Sequence, residues 1–534
     1  MKRELCLSII VLAFVCHAAF LSGVAEDAYI TFRYAQHLSQ GHGLVWNIGE
    51  PPVEGYTNFS WLLLASGIMT LGLDVPLVMQ IAGVLAGVAA IAFTYLYARR
   101  RLLLPEPFAF VPAAFLAVSG PFAGWAGSGM ETNLFTALLI ASAYFYVGYR
   151  QTHAFDQLVL CCGALLAATL TRPEGILVFG LLVGLSLVDR SRRPKRAYAE
   201  LGILAIVFLA PVAAYSLWRY EYFGYWLPNT FYAKTGGTFD QYWRGLEYTL
   251  RFALFFIAPL TLPLVCWSFR SKARIRLNDI ALLTCGVVVT FYTLYVVYIG
   301  GDYMAMFRFF VPILPFVYSL FGAGVYWLWS PGEPSHTTTS KRKALGLTVL
   351  AAAAGTFAFS TPLEIQLYRY VPRLKPSLMH GCYLGIQYER WHVARLRLIG
   401  EFFLNYKTGP DETLAVSGIG ATSYFSQMPI HSISGIVDPY IAHQTSTRSG
   451  IGLGRGLPGH EKEDFEYVVS KRPTYILNQR YLTSTPQMLT LAGPFGDDYH
   501  SRSVWLEDIV NKESGYLSFL ELNGSRHGVE RPRS

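Results

Sequence analysis

Apolar segments separated by short polar connections fill the first two thirds of the chain. A helix needs about 20 apolar residues to cross a bilayer, and fewer when neighbouring helices shield it. Segment 59–73 is short and interrupted by glycine, and we interpret it as a helix lying in the membrane interface. The remaining segments predict about eleven transmembrane helices, over 5–25, 77–98, 108–118, 134–148, 158–170, 176–188, 201–218, 252–269, 280–299, 309–329 and 345–359.

Basic residues orient these helices. Lys2 and Arg3 precede the first apolar segment, three arginines follow 77–98, and 189–196 is the most basic stretch. Because cytoplasmic loops carry the excess of Lys and Arg, we expect a cytoplasmic N-terminus and an outer face that begins after residue 25. If 59–73 crossed the membrane, the three arginines would lie outside. A cleavable signal that ends at Ala25 remains an alternative for the first segment.

From residue 362 onward the composition becomes that of a soluble domain. Short β-type runs lie at 413–417, 430–433 and 474–477, and helical periodicity covers 388–404. We therefore predict two domains, a membrane domain over 1–361 and an extracytoplasmic α/β domain over 362–534.

Composition agrees with a membrane protein. The 534 residues are 53% hydrophobic and 15% charged, whereas a soluble domain carries about 25% charge. The net charge of +8 does not indicate nucleic-acid binding, since the basic residues cluster in loops between apolar segments. The cysteines form neither a disulfide framework nor a zinc spacing.

The densest polar stretch is the first outer loop, 26–58. Glu26 and Asp27 follow the first apolar segment directly, and ionisable residues at a membrane boundary are candidates for function. A short helix is predicted over 28–38. Its spacing puts Glu26, Tyr29 and Arg33 on one face and Asp27 on the neighbouring face.

Other predicted outer loops also combine carboxylates and cations. A carboxylate can act as a general base for an alcohol, and Arg or Lys can bind a phosphate leaving group. The sequence has no Gly-rich phosphate loop and no HExxH motif. One option is therefore group transfer from a lipid phosphate. The candidate side chains from this pattern are Glu26, Asp27, Arg33, Glu54, Glu131, Arg172, Glu174, Lys234, Asp302 and Arg308.

Several short motifs resemble GT-C membrane glycosyltransferases, in particular the terminal β-arabinofuranosyltransferases of mycobacterial cell-wall synthesis and their bacterial relatives. Each motif is weak alone, but their order along the chain is specific. They are EDAYITFRYA at 26–35, GLVWN at 43–47, EGYTN at 54–58, GMET at 129–132, TRPEG at 171–175, LPNTFYAK at 227–234, GGDYM at 300–304 with Arg308, VDPYIA at 437–442 and PGHEK at 458–462.

The resemblance implies a polyprenyl-phosphate-linked pentose or hexose as donor and an envelope glycan or another outer-face hydroxyl as acceptor. It implies Asp27 as the catalytic acid or base, with Glu26 as a neighbour able to share that role. Arg33, Lys234 and Arg308 are then candidates for the donor phosphate, and Asp302 for orienting the sugar. Glu54, Glu131, Arg172, Glu174, Asn229 and His460 are further candidates for binding substrate.

The resemblance also implies a bacterial inner-membrane location, with the C-terminal domain acting as an acceptor-binding or lid domain. Membrane lipids are expected partners and nucleic acid is not. A divalent cation remains open as a cofactor, although no ligand spacing indicates one. Two other classes stay as alternatives: a transporter or flippase of lipid-linked sugars, and a non-catalytic assembly protein.

Overall fold

The computed structural model describes residues 2–188, 194–234, 239–256, 278–329, 382–445, 462–477, 482–491, 494–508 and 513–525. The predicted transmembrane segment 345–359, most of 252–269 and the candidate His460 lie outside these residues.

Helices make up nearly all of the described chain before residue 330. Their bounds are α1 Lys2–Phe20, α2 Glu26–Ser39, α3 Phe59–Thr70, α4 Val75–Leu96, α5 Phe110–Val118, α6 Gly120–Ala126, α7 Thr132–Thr152, α8 Phe155–Thr171, α9 Gly175–Val188, α10 Pro194–Ile203, α11 Ala210–Phe223, α12 Asn229–Lys234, α13 Phe239–Phe255, α14 Asp279–Ile299 and α15 Leu314–Trp329. Wider π-type turns follow α4 at Tyr97–Arg101 and α10 at Leu204–Leu209, and a 3₁₀ turn at Arg308–Ile313 precedes α15.

Within the described residues, five helical stretches are long and apolar enough to cross a membrane. They are Arg3–Phe20, Val75–Arg101, Tyr198–Phe223, Asp279–Ile299 and Arg308–Trp327. Each overlaps a predicted span, so the helical membrane architecture agrees with the prediction. The count of eleven spans stays a prediction.

Helix α3 has the length expected of a helix that does not span. Its 12 residues rise about 18 Å, well short of the roughly 30 Å hydrocarbon core. The next helix, α4, begins at Val75 because the Asp74 carboxylate accepts a hydrogen bond from the Leu77 amide at 2.8 Å, as an N-cap residue does.

Two helices that were not predicted, α12 and α13, follow the predicted span 201–218. Helix α13 begins at Phe239, upstream of the start of the next predicted span at 252. Helix α13 packs closely on α14, since a Cβ at Gly245 would meet the Val297 carbonyl. Its opposite face exposes Phe239, Tyr242, Trp243, Leu246 and Leu250.

After residue 381 the chain forms a helix-and-sheet unit. Its elements are α16 Cys382–Tyr406, β1 Leu414–Val416, α17 Gly420–Ser426, β2 Ile430–Ser432, α18 Pro439–Ala442, α19 Phe465–Ser470, β3 Tyr475–Leu477, β4 Tyr499–Asp508 and β5 Glu513–Leu522. The strand order is β2-β1-β3-β5-β4. Strands β1, β2 and β3 match the three predicted β-type runs.

The sheet is mixed. Strand β1 pairs in parallel with β2 and β3, placing Ala415 opposite His431 and Ile476. Strands β4 and β5 form an antiparallel hairpin, with Val504 opposite Leu517, and sequence patterning did not reveal it. A hydrophobic core runs without a break from the helical region into this unit.

Candidate active site

A cavity of about 520 Å³ opens between the start of α2, the turn from α8 to α9, helix α12 and the segment from Gly301 to Phe309. Apolar side chains such as Ile30, Leu177 and Phe231 form much of its wall. Its charged lining residues are Asp27, Glu131, Arg172, Glu174, Lys234, Asp302 and Arg308. Seven candidates from five separate predicted outer loops and turns thus lie around one space.

Asp27 lies in the first turn of α2, where an acidic side chain is favoured by the helix dipole. The segment before it is held in place because the Ala25 amide donates to the Ser128 carbonyl at 2.9 Å. The Asp27 carboxylate accepts hydrogen bonds from the Tyr303 hydroxyl at 3.1 Å and from Arg308 Nη1 at 3.3 Å. Two donors therefore fix its orientation at the cavity wall.

Arg308 joins Asp27 to a second carboxylate. Its Nε donates to Asp302 Oδ2 at 2.7 Å, and its Nη2 donates to Asp302 Oδ1 at 3.2 Å. This is the bidentate geometry that suits a guanidinium. The Asp302 side chain is only 3% exposed, whereas that of Asp27 is 14% exposed. Of the two acids that line the cavity, Asp27 is the more exposed.

A second ion cluster forms at the α8–α9 turn. Arg172 donates from Nη1 to Glu131 Oε1 and from Nη2 to Glu174 Oε1, each at 2.8 Å. Asn58 Nδ2 donates to the other oxygen of Glu131 at 2.8 Å. The turn requires glycine at 175, because a Cβ there would lie 2.5 Å from the amide nitrogen of Thr169.

The two ion clusters share the aromatic ring of Phe309. The guanidinium carbon of Arg172 lies 5.4 Å from the ring centroid, and that of Arg308 lies 5.1 Å from it. Both distances are within the range of cation–π contacts. The clusters are therefore neighbouring walls of one cavity.

Lys234 differs from the two arginines. It is the last residue of α12 and lines the cavity. No ion pair to it is found in the part of the chain that the structure describes, whereas Arg172 and Arg308 each hold two carboxylates. Lys234 is thus the cavity cation whose charge is available for an incoming anion.

Glu26 and Arg33, which the sequence grouped with the site, do not line the cavity. The Glu26 carboxylate accepts from the Gly420 amide at 2.5 Å. Arg33 donates to the backbone carbonyls of Ser423 and Met428 at 2.9 and 2.8 Å, and its remaining donors bond the 46–47 segment. Buried carbonyl and amide oxygens thus occupy the Arg33 guanidinium outside the cavity, and its assignment to the donor phosphate stays a prediction.

Glu54 and Asn229 also lie outside the cavity lining. The Glu54 Oε2 atom is 3.6 Å from Arg219 Nε, and burial raises the pKa of Glu54 to about 7. Asn229 Nδ2 donates to the carbonyls of Gly435 and Ile436, both at 2.9 Å. Asn229 therefore joins α12 to the C-terminal unit, and its backbone amide donates to the Glu54 carbonyl at 3.0 Å, which ties the first loop to α12. His460 lies outside the described residues.

Sequence reasoning missed several polar groups at the site. The Tyr303 hydroxyl and the Asn58 amide each bond a cavity carboxylate, and Ile436 extends the lining from the C-terminal unit. Tyr303 and Asn58 both lie inside the motifs that resemble the glycosyltransferase family. Their positions in those motifs were the sequence signal that could have identified them. No sequence pattern pointed to Ile436.

No group of three or more His, Cys, Asp or Glu side chains that could hold a metal ion is found in the described ranges. The carboxylates of the two ion clusters already pair with an arginine, which competes with a cation for their oxygens. The described side chains around the cavity therefore do not fit a resident divalent cation.

Comparison with curated proteins gives a partial match. The chain is 30% identical over 262 residues to a terminal β-(1→2)-arabinofuranosyltransferase of Mycobacterium tuberculosis. The aligned region covers 45% of this chain and 40% of that protein. The chain thus matches less than half of that relative's length. A family model described as a domain of unknown function, DUF8728, matches residues 385–520.

Solved structures show the same overall architecture. ArnT from Cupriavidus metallidurans, bound to undecaprenyl phosphate, has a TM-score of 0.52 at 14% identity, over 81% of this chain and 85% of that one. AglB of Archaeoglobus fulgidus, in complex with an inhibitory peptide and a dolichol-phosphate, has a TM-score of 0.50 at 11% identity, over 89% and 69%. The chain therefore has the fold of GT-C membrane glycosyltransferases, and the predicted resemblance to the arabinofuranosyltransferases is confirmed.

Proposed function

We propose that this chain is a membrane glycosyltransferase that moves a sugar from a polyprenyl-phosphate donor to a hydroxyl group on an envelope glycan or another outer-face acceptor. The observation that carries the proposal is the placement of Asp27. Its carboxylate is oriented by Tyr303 and Arg308 on the wall of a 520 Å³ cavity whose cation Lys234 has no carboxylate partner among the described side chains.

In the proposed reaction Asp27 is the general base. The acceptor oxygen forms a bond to the anomeric carbon of the sugar while the bond from that carbon to the phosphate oxygen breaks. The acceptor proton passes to an Asp27 oxygen, and the phosphate leaves on its lipid. Arg308 favours the ionised form of Asp27, so that the carboxylate is free to accept the proton.

Positive charge for the leaving phosphate comes from the cations that line the cavity. Lys234 is the first candidate because no carboxylate among the described residues pairs with it. Arg172 and Arg308 add positive potential but remain paired with their carboxylates. Stabilising the charge that develops on a leaving group is commonly a large contribution to catalysis.

The curated relative supports arabinofuranose as the first sugar to test, with a hexose as the second. The two structural neighbours, recorded with undecaprenyl phosphate and with a dolichol-phosphate, support a polyprenyl carrier. Positive charge on predicted inner loops supports a bacterial inner-membrane location, a cytoplasmic N-terminus, and a cavity and C-terminal unit on the outer face.

The proposal is tested with the full chain purified in detergent. The probes are a polyprenyl-phosphate arabinofuranose, a polyprenyl-phosphate hexose and a synthetic arabinan acceptor, with products read by mass spectrometry. We expect an acceptor heavier by one sugar, with an equal amount of polyprenyl phosphate. Intact donor in that assay, combined with movement of the donor between leaflets of protein-containing vesicles, would contradict the proposal and identify a transporter.

A further inference from the structure

The first turns of α16 lie against the catalytic region. Arg390 Nε donates to the Ser22 carbonyl at 2.8 Å, and a Cβ at Gly23 would lie 3.2 Å from Ile386. The segment from Ser22 leads directly into Asp27. On the same helix, Gly385 packs on Ala305 and Met306, which immediately precede the turn that carries Arg308.

Glu389 lies between these two contacts. It follows Gly385 by four residues and therefore shares its helix face. Its side chain is 6% exposed, and its Oε2 atom has no hydrogen-bond partner within the described part of the molecule. An unpaired buried carboxylate is costly, and proteins avoid that cost by keeping such a group protonated.

Resting on the proposed function, we propose that Glu389 is a positioning residue of the active site, a carboxyl group that must be neutral for the cavity to bind a lipid phosphate. It acts through Asp27 and the arginine beside it and does not itself contact the reacting atoms. The matched domain of unknown function would then contribute an acid to the site of the membrane helices, since residue 389 lies inside it.

The charged surroundings of Glu389 support this role. Glu26 and Asp27 of α2, and Asp302, Tyr303 and Arg308 of the segment before α15, interact electrostatically with Glu389. Arg390 and His392 are its titratable neighbours on α16. Burial, followed by the fields of Asp27 and Glu26, raises the pKa of Glu389 to about 8, so the group is neutral at pH 7 and gains its charge in mildly alkaline solution.

Loss of the Glu389 proton would add one negative charge behind Asp27. That charge competes for the positive potential of Arg308 and repels a bound phosphate. At an effective dielectric constant of about 20, a like charge roughly 12 Å away changes binding by roughly tenfold. Glutamine at the same position keeps the shape and the neutral state at every pH.

The experiment measures binding of polyprenyl monophosphate to the purified full chain from pH 7 to 9.5. The second ionisation of a phosphate lies near pH 6, so the charge of the probe stays constant over this range. We expect wild-type affinity to fall roughly tenfold across about pH 8 and the affinity of Glu389→Gln to stay level. Glu401→Gln, an exposed acid on the same helix that pairs with Arg397, is the matched control and should behave as wild type.

Infrared spectroscopy of the same samples gives a readout that needs no ligand. The difference spectrum of wild type minus Glu389→Gln should show a protonated carboxyl band at pH 7 that disappears above about pH 8; Glu54, whose pKa is about 7, cancels because both proteins contain it. An equal alkaline loss of binding in wild type and Glu389→Gln, or a difference spectrum without that band, would overturn the proposal. If both results hold and no sugar is transferred from any donor, the proposed function fails while the charge-dependent phosphate site stands.

Discussion

Replacing Arg308 by glutamine should destabilise the fold as well as stop transfer. Its guanidinium makes three hydrogen bonds to Asp302 and Asp27, at 2.7, 3.2 and 3.3 Å, and its side chain is 4% exposed. Removing one partner from a buried ion pair costs about 3–5 kcal/mol, because the remaining charge is left uncompensated. Two acids remain here, so we expect a loss of at least about 4 kcal/mol at pH 7.

The assay is thermal unfolding in detergent at pH 7. Arg308→Gln should unfold several degrees below wild type, and the double variant Arg308→Gln with Asp302→Asn should recover about half of that loss, since one stranded charge is gone. Arg472→Gln breaks an exposed pair with Asp498 and should change stability by less than about 1 kcal/mol. If Arg308→Gln is as stable as wild type, or the double variant is no better than the single one, the arginine does not hold these acids.

Two further substitutions separate binding from docking. Lys234→Gln should raise the donor KM roughly tenfold to a hundredfold, because a hydrogen bond to a charged group contributes about 1.5–3 kcal/mol. Thermal stability should not change. A KM equal to that of wild type would show that Lys234 does not bind the phosphate. Arg33→Met removes the donor that bonds the Trp46 and Met428 carbonyls and should lower stability by about 3 kcal/mol or more, with faster protease cleavage of the C-terminal unit. Cleavage at the wild-type rate would contradict its docking role.

The sequence was most informative where charged residues lie at the ends of apolar segments. Asp27 and the acids and arginines in 129–132, 171–175 and 300–308 were singled out from loops far apart in the chain. They line one cavity because helical hairpins bring the ends of their helices to one side. Helix α14 was also predicted nearly in full, since its apolar run is bounded by Asp279 and Gly300.

The sequence did not separate residues that face the cavity from residues that face the C-terminal unit. Asp27 and Glu26 are adjacent, and helix periodicity gives two faces without saying what each one touches. The partners of Arg33 and Glu26 lie almost 400 positions away in α17 and the segment after it. Only the tertiary packing shows that these two side chains hold the units together.

Other features were missed for different physical reasons. Helix α13 exposes apolar side chains on one face and buries the opposite face. Its sequence therefore resembles a loop in the membrane interface as much as a helix. Glu389 is one acid in a helix with several charged residues, and its burial depends on the fit of α16 against Ser22 and Ala305. The three-residue strands β1, β2 and β3 were found because buried apolar runs are visible at any length, whereas the hairpin β4–β5 mixes polar and apolar residues.

The central claim is that Asp27, and not Glu26, removes the acceptor proton. The most direct test compares transfer rates of wild type, Asp27→Asn and Glu26→Gln at equal amounts of folded protein. A general base contributes about 10²–10⁴-fold to rate, so Asp27→Asn should lose at least a hundredfold in kcat. Glu26→Gln should keep kcat within a few-fold, because its carboxylate bonds the Gly420 amide outside the cavity. Wild-type turnover by Asp27→Asn would contradict the account.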